Sequence, residues 1–169
     1  PVRLAGIIRD GVAVRDRLLD RAREADPSVA VPEGSATLKP AEGLDDLTRE
    51  DEGVGVEARI ARRGEALAGL EELVMYGLKG TAAYADHARI LGRRDDDVDA
   101  FFAEGLAFLT GDHDLDSLLA MALKVGEVNL KVMEMLDGAN TGAYGHPVPT
   151  PVPITPKKGK AILISGHDL

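Results

Sequence analysis

A chain of 169 residues can hold one domain with a real core, and its 44% hydrophobic and 29% charged residues are ordinary for a globular protein. A net charge of −9, 4% aromatics and no Trp leave neither a basic stripe nor a base-stacking platform, so no nucleic-acid partner is expected. With no Cys, the chain itself can form no disulfide, thiolate metal site or cysteine nucleophile.

No apolar run approaches the roughly 20 residues of a membrane span, so no membrane partner is expected. Nothing at the N-terminus resembles a signal peptide, and a cytoplasmic location follows as an expectation. The chain opens on Pro1 rather than Met, so its true start is expected to lie upstream.

Residues 2–25 read as a first helix, because Leu4, Ile7, Ile8, Val12 (or Gly11), Val14, Leu18, Leu19 and Ala22 recur at a spacing of three to four. Arg9, Arg15, Arg17 and Asp20 are then expected to face solvent, and Asp26-Pro27 closes the helix. The first unit is set at residues 1–26. Residues 27–56, rich in Pro, Gly, Ser, Glu and Asp, read as an acidic surface connector with one short helical turn near Leu44 and Leu47. The run Glu50-Asp51-Glu52 reads as a solvated face before a metal site.

Residues 57–92 read as one long helix whose buried face carries Ile60, Leu67, Leu70, Val74, Leu78 and Ala82, widened by Ala66, Leu73, Gly77 and Ala85. Gly92 supplies the stop. One of Asp95, Asp96 and Asp97 caps the next helix, with Val98, Phe101, Phe102, Leu106 and Leu109 turned inward. Asp114 or Asp116 caps a further helix running to about Asp137, with Leu118, Leu119, Ala122, Val125, Leu130, Val132, Met133 and Leu136 at helical spacing and Gly138 and Gly142 as the stop. Residues 57–143 are thus the main helical bundle.

Residues 144–159 form an extended connector, because the prolines from Pro147 to Pro156 fix φ and remove donors. Residues 160–169 follow, in which Ala161-Ile-Leu-Ile164 reads as a buried strand. The fold class is mainly α: a helical bundle, a proline-rich connector and the first strand of a truncated α/β domain.

Seven sites are worth weighing. His167, just past a strand end, is by position either a ligand or an unengaged terminal histidine. His146 reads as a brace of its turn, His87 as a surface or interhelix residue, and His113 as exposed. Glu127 and Asn129 lie in an apolar helix, where a polar side chain commonly satisfies a backbone group. Lys79 can snorkel from a packed face. Gly159-Lys160 precedes its strand and lacks the spacing and Ser/Thr of a phosphate loop, so nucleotide binding is rejected.

Four blocks together carry a resemblance: Leu73-Val-Met-Tyr-Gly-Leu-Lys-Gly-Thr-Ala-Ala-Tyr-Ala-Asp-His-Ala-Arg-Ile-Leu-Gly92, Gly126-Glu-Val-Asn-Leu-Lys-Val-Met133, Leu136-Asp-Gly-Ala-Asn-Thr-Gly-Ala-Tyr-Gly-His-Pro147 and Ile162-Leu-Ile-Ser-Gly-His-Asp-Leu169. In order and spacing they resemble the hybrid cluster protein family, also called prismane protein or hydroxylamine reductase. The resemblance implies a redox metalloenzyme that reduces hydroxylamine to ammonia, with nitric oxide reduction a further role. It implies two cofactors, a hybrid iron–sulfur–oxygen cluster and a second iron–sulfur cluster (4Fe-4S in many members), and a redox electron donor as partner.

It also implies that His167, in the Ser-Gly-His-Asp-Leu block, is an iron ligand of the hybrid cluster. The cysteine and glutamate ligands of the family have no counterpart here. The chain is therefore expected to be an internal fragment, inactive and cluster-free alone, that scaffolds the remaining domains of the same enzyme. A non-catalytic helical interaction module and a piece of a nickel–iron carbon monoxide dehydrogenase are the competing readings.

Overall fold

The structure, a computed structural model, describes residues 2–31 and 37–163. Six helices are found among them: α1 (Val2–Ala25), α2 (Leu44–Val54), α3 (Val56–Arg63), α4 (Glu65–Ile90), α5 (Asp96–Phe108) and α6 (Leu115–Tyr144).

Helix α1 has the expected bounds but not the expected face. Ala5 is buried, and Ile8, Val12 and Leu19 are half-buried, whereas Ile7, Val14 and Leu18 are exposed. Two arginines expected in solvent instead hold the strap before α2. Arg9 Nη2 donates to the Glu42 carbonyl at 2.9 Å. Arg15 Nη1 donates to the Leu38 carbonyl at 2.6 Å. A guanidinium offers five donors in a rigid fork, and here they satisfy strap carbonyls that have no ladder partner.

The expected connector over residues 27–56 holds more order than its composition implied. It contains all of α2, where Glu50 Oε2 accepts from the Ala41 amide at 3.1 Å, and it runs into α3. The single helix expected over residues 57–92 is broken at Gly64. That residue ends α3 and opens α4 with φ +81°, a left-handed conformation that a side chain resists. The chain folds back there, and Arg59–Glu72 and Arg63–Glu71 ion pairs lash α3 along the start of α4. Arg63 also reaches Asp112 at 3.1 Å, tying α3 to the turn before α6.

The bundle proper is α4, α5 and α6. Cross-contacts fix its directions. Gly77 lies against Val125 and Thr81 against Asn129, so α4 and α6 run parallel in close contact. Lys124 pairs with Glu104 and Lys131 with Asp95, so α5 runs antiparallel to α6. The core cluster is Val74 and Leu78 from α4, Phe101 from α5, and Met121 and Val125 from α6. Each fully buried side chain of this kind contributes about 1.5–3 kcal/mol relative to exposure.

Helix ends follow local chemistry. Helix α4 ends in a Schellman arrangement: the Arg93 amide donates to the Ala88 carbonyl at 2.9 Å and the Gly92 amide to the Arg89 carbonyl at 2.9 Å, with Gly92 at φ +79°. Asp95 caps α5 by accepting from the Asp97 and Val98 amides, and Asp114 caps α6 by accepting from the Ser117 amide.

Three expectations fail here. Helix α6 does not stop near Asp137: it runs through Gly138 and Gly142 to Tyr144 and ends at Gly145, φ +80°. A glycine that keeps helical φ costs helix propensity without breaking the ladder, and only the positive φ at Gly145 ends it. Second, Ala66, Leu73, Ala82, Leu106, Leu119, Leu130 and Met133 do not face the core but are exposed. Third, the expected buried strand has no pairing in its described part. Residues 161–163 are irregular, with Ile162 and Leu163 over 90% exposed, because a strand needs a neighbour to take its backbone groups. The rest of that expectation, from Ile164 onward, lies outside the described residues.

Two outcomes follow from the packing. A Cβ at Gly77 would sit 2.7 Å from Val125 Cγ1, a β-branched core side chain with little room to turn. Gly77→Ala is expected to lower stability by about 1–3 kcal/mol in thermal unfolding, less the part regained through helix propensity. Gly138→Ala, where a Cβ meets nothing within 4 Å, is expected to raise it by up to about 1 kcal/mol.

The second concerns Asp95, whose pKa is held below the ordinary carboxylate value, first by the hydrogen bond from Lys131, which outweighs the opposing cost of burial, with the Val98 amide, the Lys131 charge and the Asp97 amide adding to it. A depressed folded pKa adds stability above the unfolded value that is lost as pH falls through the folded one. Asp95→Asn should therefore be less stable than wild type at pH 7 and approach it as pH falls through the lowered carboxylate pKa, while Asp95→Ala, which also loses the cap, should stay below both across the range. Denaturation midpoints against pH measure this ordering.

Candidate functional site

The residue singled out as an iron ligand, His167, lies outside the described residues. The other candidates can be placed. His146 follows Gly145 as an exposed residue; the helix end is closed by the Gly145 amide donating to the Thr141 carbonyl at 2.9 Å, so His146 is not needed as a brace. His87 is half-buried and meets Tyr84 edge-on at 6.3 Å between ring centroids.

His113 is not the exposed residue expected. Its ring stacks on Phe108 at 3.6 Å with 7° between planes, and its Nε2 lies 2.7 Å from the Phe108 carbonyl. The imidazole joins the Gly111 amide, which donates to the same Phe108 carbonyl at 3.1 Å, in closing the C-terminal end of α5, a structural use of the ring. Lys79 is exposed on α4 and sits 5.6 Å from the centroid of the Tyr76 ring, a cation–π contact rather than a stem laid along a packed face. Gly159, φ +134°, and Lys160 lie in the exposed tail.

Glu127 is exposed on α6. Asn129 does not serve a backbone group but a neighbouring helix: its Oδ1 accepts from Thr81 Oγ1 at 3.2 Å. Thr81 is the polar side chain found fully buried among the described residues, at 1% exposure. The bond sits on the seam where α4 and α6 touch, beneath a shallow groove of about 370 Å³. Gly77, Gly80 and Gly126 form the groove's floor, and Leu73, Tyr76 and Tyr84 stand along its rim. Gly77 was legible as a packing position, whereas Gly80 and Gly126 are exposed. That they line an open groove was not legible, because periodicity gives the side of a helix and not what lies opposite it.

The donor set does not fit an iron–sulfur cluster. The chain has no cysteine, and no three His, Asp or Glu side chains come together among the described residues. Cluster iron is held by thiolates in the main, so these helices cannot supply the ligands by themselves. No helix is long and apolar enough to cross a membrane among the described residues.

Comparison with known proteins gives a consistent picture. Residues 8–169 match the Prismane/CO dehydrogenase family. A hydroxylamine reductase of Syntrophobacter fumaroxidans is 45% identical over 170 residues, covering 100% of this chain and 31% of the relative. One from Methanocella arvoryzae is 42% identical over 98% of this chain and 31% of its own length. One from Thermodesulfovibrio yellowstonii is 49% identical over 80% of this chain and 25% of its own length. The chain spans under a third of the length of these curated relatives.

The seam bond gives a direct test. At 3.2 Å the Thr81–Asn129 bond is long for a hydroxyl donor, so its net worth is at the low end, about 0.5–1 kcal/mol. Thr81→Val should cost about 1 kcal/mol by leaving Asn129 short of a partner, and Thr81→Val with Asn129→Leu should cost less than the two singles summed. Chemical denaturation of the four proteins of this cycle reads the coupling.

Proposed function

Because this chain belongs to the Prismane/CO dehydrogenase family, we propose that it is the helical segment of a hydroxylamine-reducing iron–sulfur oxidoreductase whose remaining domains lie outside these 169 residues. The observation that carries this is identity above 40% across essentially the whole chain to hydroxylamine reductases of Syntrophobacter fumaroxidans and Methanocella arvoryzae. The named relatives favour this activity over the carbon monoxide chemistry that the family name also covers.

In this reading the helices hold no cluster. They form a rigid body, and the tail from Gly145 onward delivers His167 to the rest of the protein. His167 is the iron ligand this chain contributes to a hybrid iron–sulfur–oxygen cluster, with the thiolate and carboxylate ligands supplied from elsewhere in the polypeptide. An imidazole suits iron, and its second nitrogen requires a hydrogen-bond partner to fix the ring. A second iron–sulfur cluster, a separate electron donor, ammonia as product, nitric oxide as a further substrate and a cytoplasmic location belong to the same proposal.

The test is anaerobic production of the full-length protein and assay of ammonia formed from hydroxylamine with a chemical reductant. Activity is expected, and His167→Ala should lower it by on the order of 100-fold with loss of iron, because an iron ligand is removed. The 169 residues alone, treated with iron and sulfide, should retain no stoichiometric cluster. Full activity in His167→Ala would remove His167 from the site, and a full-length protein with neither iron nor hydroxylamine reduction would overturn the assignment.

A further inference from the structure

The groove over the α4–α6 seam has a floor that internal packing does not explain. Two mid-helix glycines answer to contacts within the chain: a Cβ at Gly77 on the α4–α6 seam would strike Val125, and one at Gly105, where α5 meets α4, would strike Leu78 at 2.8 Å. Gly69, Gly80, Gly126, Gly138 and Gly142 do not, and of these Gly80 and Gly126 line the groove. Both are exposed, both lie inside long helices, and a Cβ at either would meet nothing within 4 Å. A glycine in a helix interior loses stability relative to alanine with no return from this structure. Both open onto the same groove.

The wall on α4 is apolar and bare: Leu73, Tyr76 and Tyr84 are exposed by 42–58%. On α6 the groove is lined by the small or short side chains Ala122, Val125, Gly126 and Asn129. On a chain of net charge −9, none of the residues lining this groove is charged. Small residues beside an apolar wall admit the backbone of a helix at close range, as they do wherever helices approach tightly.

We propose that this groove seats an apolar helix from the part of the same polypeptide that lies outside these 169 residues; the proposal rests on the reading of the chain as one segment of a larger enzyme. Surface area separates this occupant from a second copy. The chain exposes 13318 Å², whereas a folded monomer of 17.9 kDa is expected to expose about 8,000 Å². The exposed tail accounts for part of the excess. A stable dimer would cover only about 800 Å² of each partner. Relatives in which this stretch is under a third of the length have ample chain to cover the rest. Helix α1 is not the occupant, since it packs on α2 and the strap that precedes it.

The experiment uses the full-length protein with p-benzoylphenylalanine in place of Tyr84, and separately in place of Leu106, which is exposed on α5 away from the groove. After irradiation, mass spectrometry of the digest is expected to show Tyr84-position cross-links, within one molecule, to a peptide outside residues 1–169, at several-fold higher yield than from the Leu106 position. In parallel, Gly126→Ala should lower the melting temperature of the full-length protein, although helix propensity alone would raise it. Cross-links between two copies, cross-links confined to residues 1–169, or a yield no higher than at Leu106 with Gly126→Ala stabilising, would each overturn the proposal. Iron content and hydroxylamine reduction of the unsubstituted protein are read separately, so an active enzyme with an empty groove would sink this inference and leave the functional reading standing.

Discussion

The bundle depends on how closely α4 can approach its neighbours. Two missing side chains set that distance: Gly77 admits Val125 of α6, and Gly105 admits Leu78 of α4. These contacts bring Val74, Leu78, Phe101, Met121 and Val125 into one cluster. Neither glycine needs an unusual backbone, so their value lies in the volume they leave free. Close-packed interiors respond to a single methyl group, which is why a seam of this kind fixes one register between parallel helices. The exposed Lys124–Glu104 and Lys131–Asp95 pairs then select the antiparallel placement of α5 at small individual energies.

How much of this was legible follows from which signals are local. Asp95 and Asp114 as caps and Gly92 as a stop could be read directly, because a capping carboxylate and a left-handed glycine act within one turn of the chain. The break at Gly64 was not readable: Ile60 on one side and Leu67, Leu70 and Val74 on the other keep a helical spacing through it, and only φ +81° reveals the fold-back. Gly138 and Gly142 misled in the opposite sense, since neither adopts a positive φ in α6. Helix α2 was hidden by acidic, glycine-bearing sequence whose order comes from contacts with the strap, such as Glu50 to the Ala41 amide.

The inward faces were the less legible part. Leucines at 73, 106, 119 and 130 fit helical spacing, yet all are exposed. Their periodicity is real, but a 3.6-residue repeat cannot distinguish a face packed within the chain from one that needs something further. Asn129 and His113 show the same limit for polar groups. Asn129 finds Thr81 on a helix 48 residues away, and His113 finds the Phe108 carbonyl through a stacked ring. The candidate iron ligand was legible only through the Ser-Gly-His-Asp-Leu block and its resemblance, since position alone left His167 between a ligand and a terminal residue.

Chemistry and architecture are therefore separated along this chain. Its folded part carries no thiolate and gathers no set of metal ligands among the described residues, while its candidate ligand sits beyond a proline-spaced tail that makes few contacts with the bundle. Such a tail cannot aim an imidazole by itself, because each unrestrained residue retains conformational freedom worth about 1–2 kcal/mol. Neither the irregular residues 161–163 nor the exposed helix faces supply that orientation among the described residues. Under the reading proposed above, the apolar surface around α4 and α6 and the irregular residues 161–163 are two signs of one constraint: the helices and the tail acquire a fixed relation only when both are held by the rest of the polypeptide.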